Sequence, residues 1–335
     1  MRKFNLFLMG VFTFFSATAQ DKHTTFHLSF VPPLSTNGIK AYEYSNGASF
    51  NLLAGISRNE ENFSFAGLSN VITNDAKGFQ FAGLSNFIGN NGKGMSFSGL
   101  ANITKGSYSG FQFAGLGNIV KNKISGFQFA GIINIAKNVN GFQFAGLINK
   151  AKNVNGVQFA GIINIAENSD FPIGLINIIK NGEKGIAVTY NELGSTMVTF
   201  RSGGKVTYGI IGIGYNHKVS SRAYTVEAGL GAHINCLSWL RINNELKVAS
   251  FGYSNNPLIA DSNLSNPVFH VNYSLMPAFR ISRHFELFGG PSINYINARN
   301  TDSELMPKHS IWKQSSSTRL QQIYVGYQVG VQYIF

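Results

Sequence analysis

Seven histidines and one cysteine are the side chains of this 335-residue sequence best suited to metal binding or nucleophilic attack. The histidines at 23, 27, 217, 233, 270, 284 and 309 are scattered, and no pair has the spacing of metal ligands. His233 and His270 fall on the polar faces of alternating segments, as do Ser274 and Glu227. A convergent Ser–His pair there would be the material of a hydrolase, but polar packing inside a barrel is the better reading. G-x-S-x-G, P-loop and H-E-x-x-H patterns are missing, and Gly212 and Gly214 do not complete a dinucleotide fingerprint. Cys236 lies near a segment end on an apolar face and reads as a small hydrophobe in or near lipid. The sequence therefore predicts no catalytic residue, metal ligand or cofactor, and no enzyme.

The charges on the polar faces carry more information. Arg201, Arg241, Lys247 and Arg280 are expected to point inward, with Glu227, Glu245 and Glu286 as partners. Two readings are open: a lumen with a weak preference for anions, or an ion-pair network that stiffens the interior.

These residues must be held by strands. From Lys184 on, alternation has period two. Tyr224, Val226, Ala228 and Leu230 oppose Thr225, Glu227 and Gly229; Leu240, Ile242, Leu246 and Val248 oppose Arg241, Asn243, Glu245 and Lys247. In the last segment Ile323, Val325, Tyr327, Val329, Val331, Tyr333 and Phe335 share one face, opposite Gln322, Tyr324, Gln328 and Gln332. An alternating final strand ending in Tyr333 and Phe335 resembles the assembly signal of bacterial outer-membrane barrels, which implies the barrel-assembly machinery as a partner. Connections near Leu237-Ser238 and Ser282-Arg283 are tight, while those at 254–266 and 300–318 are long and polar. That is the turn-and-loop rhythm of such a barrel.

Residues 63–180 hold eight copies of a 15–16-residue repeat, among them Phe79-Gln-Phe-Ala-Gly-Leu-Ser-Asn86 and Phe142-Gln-Phe-Ala-Gly-Leu-Ile-Asn149. Read as one strand per copy, Phe142, Phe144, Gly146 and Ile148 face one way, and Gln143, Ala145, Leu147, Asn149 and Ala151 the other. Two strands near Thr25–Val31 and Ala48–Ile56, eight repeats and eight strands after Lys184 predict an all-β protein, an antiparallel transmembrane β-barrel of about 16–18 strands. That barrel would occupy residues 20–335, with 184–335 its non-repeat part, and would be wide enough for an aqueous lumen. The alternative is a parallel β-solenoid of repeats, with amide ladders inside, joined to a smaller C-terminal β-barrel. A solenoid would expose the phenylalanine face, which water penalises and lipid does not.

The repeated G-[FMV]-[QS]-F-[AS]-G-[LI]-x-N element resembles the surface-repeat family of bacterial outer-membrane proteins, over roughly residues 40–200. Asn51-Leu-Leu-Ala-Gly55 and Pro172-Ile-Gly-Leu175 look like that family's flanking motifs. The resemblance implies a place in the cell and no activity.

Composition fits this picture. The chain is 13% charged, 13% aromatic and 44% hydrophobic, with 37 glycines, against about 25% charged residues in soluble proteins. Arg2-Lys3, the apolar stretch Phe4–Phe15 and Ala17-Thr18-Ala19 predict a signal peptide over residues 1–19. Its cleavage before Gln20 resembles export signals of the Bacteroidetes group. The net charge of +12 would suit nucleic acid in a cytosolic protein. In an exported one it suits outer-membrane lipid and lipopolysaccharide. The function expected is a passive pore or transport-related barrel of the cell outer membrane. The alternative is a surface-structural or adhesion protein anchored by its barrel, with the loops at 254–266 and 300–318 carrying the binding. Solute, ligand and oligomeric state are not legible.

Overall fold

The computed structural model describes residues 22–219, 224–252 and 268–335. The expected signal peptide and the loop expected at 254–266 lie outside those residues. The chain divides into two units, Met1–Gly106 and Ser107–Phe335.

In the first unit each repeat copy folds as two strands. Ala76–Ala82 and Ser85–Ile88 are separated by Gly83-Leu84, and Gly92–Ser98 and Ala101–Thr104 by Gly99-Leu100. Equivalent strands stack parallel and in register, Phe63 beside Phe79 beside Met95, and Asn70 beside Asn86 beside Asn102. The strands before the repeats obey the same rule. Lys22–Val31 runs parallel to Tyr44–Asn51, with Phe26 beside Ala48, and the expected strand Ala48–Ile56 breaks at Leu52-Leu53. Inside, Asn70 Nδ2 donates to Asn86 Oδ1 and Asn86 Nδ2 to Asn102 Oδ1, each at 2.9 Å.

The second unit opens with the same coils. Phe111, Phe127, Phe142 and Val157 are in register, as are Gln112, Gln128, Gln143 and Gln158. Gln128, Gln143 and Gln158 each donate to the preceding glutamine at 2.8–3.0 Å. Asn118, Asn134, Asn149 and Asn164 donate in turn to Asn134, Asn149, Asn164 and Asn177 at 2.9–3.1 Å.

The repeats thus form the parallel solenoid with internal amide ladders that the sequence offered as the alternative arrangement, in place of the single barrel of 16–18 strands. Two physical reasons select this arrangement. An amide row satisfies itself only when identical residues lie side by side, which parallel stacking provides and antiparallel pairing of neighbouring copies would not. The Gly-Leu pair also supplies a corner: a Cβ on Gly146 would lie 2.1 Å from the carbonyl oxygen of Gly131, so only glycine permits that approach. The corner turns Leu147 outward, away from the face it was expected to share with Gln143 and Asn149.

Eight antiparallel strands follow, as many as the sequence predicts after Lys184. They are β1 (Lys184–Asn191), β2 (Ser195–Gly203), β3 (Thr207–Asn216), β4 (Tyr224–Asn235), β5 (Leu240–Gly252), β6 (Val268–Arg280), β7 (Phe285–Arg299) and β8 (Arg319–Ile334). Each pairs with the next, and β1 pairs with β8 from Gly185–Ile334 to Asn191–Gln328, which closes a barrel. Turns at 204–206, 236–239 and 281–284 are short and share one end; residues 300–318 at the other end carry a 3-10 turn and a short strand, Trp312–Ser315. The expected alternation of β8 is observed: Val325, Tyr327, Val329, Val331 and Tyr333 are exposed, while Gln322, Tyr324, Gln328 and Gln332 are buried.

Candidate functional site

The inward face of the barrel gathers the charged residues picked from the sequence. Arg201 on β2, Glu227 on β4, Arg241, Glu245 and Lys247 on β5, and Glu286 on β7 are all buried. Arg280, at the end of β6, is about one-third exposed and reaches back to the same network. Strand alternation explains the placement: Arg241, Glu245 and Lys247 occupy every second position of β5, so they must point one way.

The charges are used up on one another. Arg201 Nη2 lies 2.8 Å from Glu245 Oε1, its Nη1 donates to Gln332 Oε1 at 2.8 Å, and its guanidinium sits 4.3 Å from the centre of the Phe288 ring. Tyr208 OH donates to Glu245 at 2.9 Å. Lys247 Nζ is 3.3 Å from Glu227 and donates to Gln328 at 2.6 Å. Arg241 meets Glu286 through Nε at 2.7 Å and Glu183 through Nη1 at 2.6 Å, and Arg280 Nη2 meets Glu183 at 2.5 Å. Glu183 was missed by sequence reasoning because it precedes the first barrel strand and shares no alternation with it. With it, four basic groups face four acidic ones among the described residues. Among these residues the charges balance and are paired, which is the arrangement of the ion-pair reading.

The residues that might have formed a hydrolase are otherwise engaged. Ser274 Oγ donates to Asn272 at 2.6 Å, His233 Nδ1 is 2.8 Å from Asn243 Oδ1, and His270 Nε2 is 3.1 Å from Tyr324 OH. Cys236 is exposed in the turn after β4.

Both ends of the interior are covered. At the short-turn end the last solenoid coil meets the rim: Thr207 Oγ1 donates to the Pro172 carbonyl at 2.7 Å, and Asn177 is bonded to Ser202. At the long-loop end Leu193, Val219, Phe251, Val268, Ile296 and Leu305 pack into an apolar cluster with Tyr324. Sequence reasoning missed this plug, whose members come from loops and strand ends with no common period. Beneath it, the space bordered by Glu227, Lys247, His270 and Gln328 amounts to about 10 Å³, room for a single water. The expectation of an aqueous lumen rested on 16–18 strands; eight strands leave an interior that side chains fill.

The outer surface is apolar. Val188, Val226, Leu246, Leu275, Leu287 and Val329 are among many exposed aliphatic side chains on the barrel wall. At the short-turn end aromatic rings form a partial girdle: Trp239 with Phe279 at 6.1 Å, Phe285 with Tyr333 at 5.2 Å, and Tyr333 with Phe335 at 5.6 Å between ring centres. The solenoid is apolar outside as well, as expected for this arrangement: Phe79 and Phe144 are exposed, and Phe81 stacks on Phe97 at 4.8 Å.

No protein-family model matches the chain. Nor does any curated protein match it. Two solved structures align with part of it. A de novo designed transmembrane β-barrel aligns over 46% of this chain and 93% of its own, at 14% identity and a TM-score of 0.25. The crystal structure of Neisserial surface protein A aligns over 46% of this chain and 94% of its own, at 15% identity and a TM-score of 0.26.

Proposed function

We propose that this protein is an outer-membrane anchor: the eight-stranded barrel spans the bilayer and holds the solenoid at the membrane without conducting solutes. The observation that carries the reading is the closed interior, with its balanced ionic network, its apolar plug at one end and the last solenoid coil at the other. The apolar wall and the aromatic girdle support a lipid setting, since water would penalise so many exposed aliphatic side chains. Short turns beside the C-terminal strand end support placing that end in the periplasm, with residues 300–318 at the cell surface. Export by the Met1–Ala19 segment belongs to the same reading. Of the two functions expected from the sequence, the reading in which the barrel serves only as an anchor is favoured over the passive pore, with the solenoid beside the short turns on the periplasmic side and residues 300–318 at the surface.

Planar-bilayer recording tests the choice. The full-length protein is expected to insert, as judged by a heat-dependent shift in gel mobility, and to give no stepwise conductance. Reproducible channel steps would overturn the anchor reading in favour of a pore.

A further inference from the structure

The second unit carries a basic groove that the barrel interior does not use. Lys137, Lys150, Lys152, Lys180 and Lys184 line an open depression of about 590 Å³, and one acidic residue, Glu167, lies among them, 3.8 Å from Lys152. The 15-residue period brings Lys137 and Lys152 to neighbouring coil edges, where the Lys152 N–H donates to the Lys137 carbonyl at 2.8 Å, and it sets Lys150 between Ile135 and Ile165 in the parallel ladders. Ile135, Ile165 and Ile178 line the same groove and offer an apolar floor beside the ammonium groups. Four of the five lysines are exposed.

We infer that this groove seats the phosphate headgroup of an anionic phospholipid in the leaflet adjoining the short-turn end of the barrel, with the acyl chains lying along the isoleucines. The inference rests on the membrane-spanning reading of the barrel. Two observations select this occupant. The first is charge: several ammonium groups on flexible stems above apolar surface match a phosphate set above hydrocarbon. The second is continuity with the barrel wall. Lys184 opens β1, whose outward residues Ile186, Val188 and Tyr190 are exposed, and its carbonyl accepts the Phe335 N–H at 2.9 Å, so the groove lies level with the aromatic girdle. A second point of continuity lies on β4 to β6, where Ile173 of the solenoid borders one depression with the outward Leu230, Leu246 and Tyr273. Headgroups occupy this level of a membrane protein. The position selects phospholipid over lipopolysaccharide, because the groove is at the end opposite the long connection.

The test uses the full-length protein in detergent, with phosphatidylglycerol, phosphatidylcholine and lipid A as probes and retained lipid counted by native mass spectrometry. The wild type is expected to retain phosphatidylglycerol over both other probes. The K137Q/K150Q/K152Q/K180Q variant is expected to lose at least about tenfold of that retention, with its heat-dependent gel shift unchanged. Equal retention by wild type and variant, or a wild-type preference for lipid A, overturns the groove assignment while leaving the membrane reading intact. Failure of the wild type to float with vesicles of either phospholipid overturns both, and the flotation result separates the two failures.

Discussion

Asn177 and Ser202 join the last solenoid coil to the rim of the barrel by two buried hydrogen bonds. The Asn177 backbone N–H donates to Ser202 Oγ at 3.0 Å, and its Nδ2 donates to the Ser202 carbonyl at 3.1 Å. The same side chain accepts from Asn164 at 2.9 Å, so the amide ladder ends directly on barrel backbone. Asn177→Leu leaves the Asn164 amide and the Ser202 carbonyl short of partners, at about 1–3 kcal/mol for each buried group left unsatisfied. Limited proteolysis is expected to show faster cleavage within residues 167–182 while the barrel keeps its heat-dependent gel shift. An unchanged cleavage rate would mean that the join does not depend on this amide.

The barrel interior makes a different prediction. Arg241 is 2% exposed and balances Glu286, which is fully buried. Arg241→Ala removes the nearest cation of that carboxylate, leaving it the Asn243 amide at 3.1 Å and Arg280 at 3.8 Å, and is expected to cost about 3 kcal/mol. In the double variant Arg241→Met with Glu286→Leu the poorly compensated charge disappears, and Glu183 keeps Arg280 as a partner, so most of the loss should be recovered. Urea titration followed by tryptophan fluorescence measures both. A double variant as unstable as the single one would show that packing around Arg241, and not charge balance, holds this end together.

The barrel was legible because its strands obey one rule along their whole length. Arg241, Glu245 and Lys247 alternate with Leu240, Leu246 and Val248, and every one of these residues faces the way its position predicts. The repeat was legible as strand but misleading in direction. Phe142 to Ala151 alternates as one ten-residue strand would, and nothing in that pattern marks Gly146-Leu147 as a corner. The information lies in the neighbour, because Gly146 must be glycine only when Gly131 stacks against it. For the same reason the closed interior was not legible: Glu183, Leu193, Val219 and Leu305 converge from connections, where periodicity says nothing.

The lipid reading of the outer wall can be tested at one residue. Val329 is outward on β8 and 47% exposed. On a watery surface Val329→Arg would be close to neutral. On a lipid-facing strand near the bilayer midplane it is expected to cost about 2–4 kcal/mol. The comparison is an unfolding titration in lipid vesicles of wild type and variant, with Lys313→Arg in the exposed strand Trp312–Ser315 as a control expected to change nothing. A Val329→Arg variant as stable as the control would argue that water, and not hydrocarbon, surrounds β8.

The first unit carries a built-in pH dependence at Glu60. Its side chain is 2% exposed, with Ser49 Oγ at 2.7 and 2.9 Å from its two oxygens and Asn46 Nδ2 donating at 3.2 Å. Burial raises the carboxyl from its ordinary 4.5 to about 7, against the opposing pull of hydrogen bonds from Ser49, Ser57 and Asn46. A carboxyl that holds its proton more tightly folded than unfolded stabilises the fold fully below pH 4.5. That contribution is lost as the pH rises toward about 7, because the unfolded chain ionises first. Thermal unfolding of the first unit is therefore expected at a lower temperature at pH 8 than at pH 5. Glu60→Gln, which keeps the shape and cannot ionise, should flatten that difference by raising the pH 8 value. If wild type and Glu60→Gln show the same change between pH 5 and pH 8, then Glu60 is not the group that sets it.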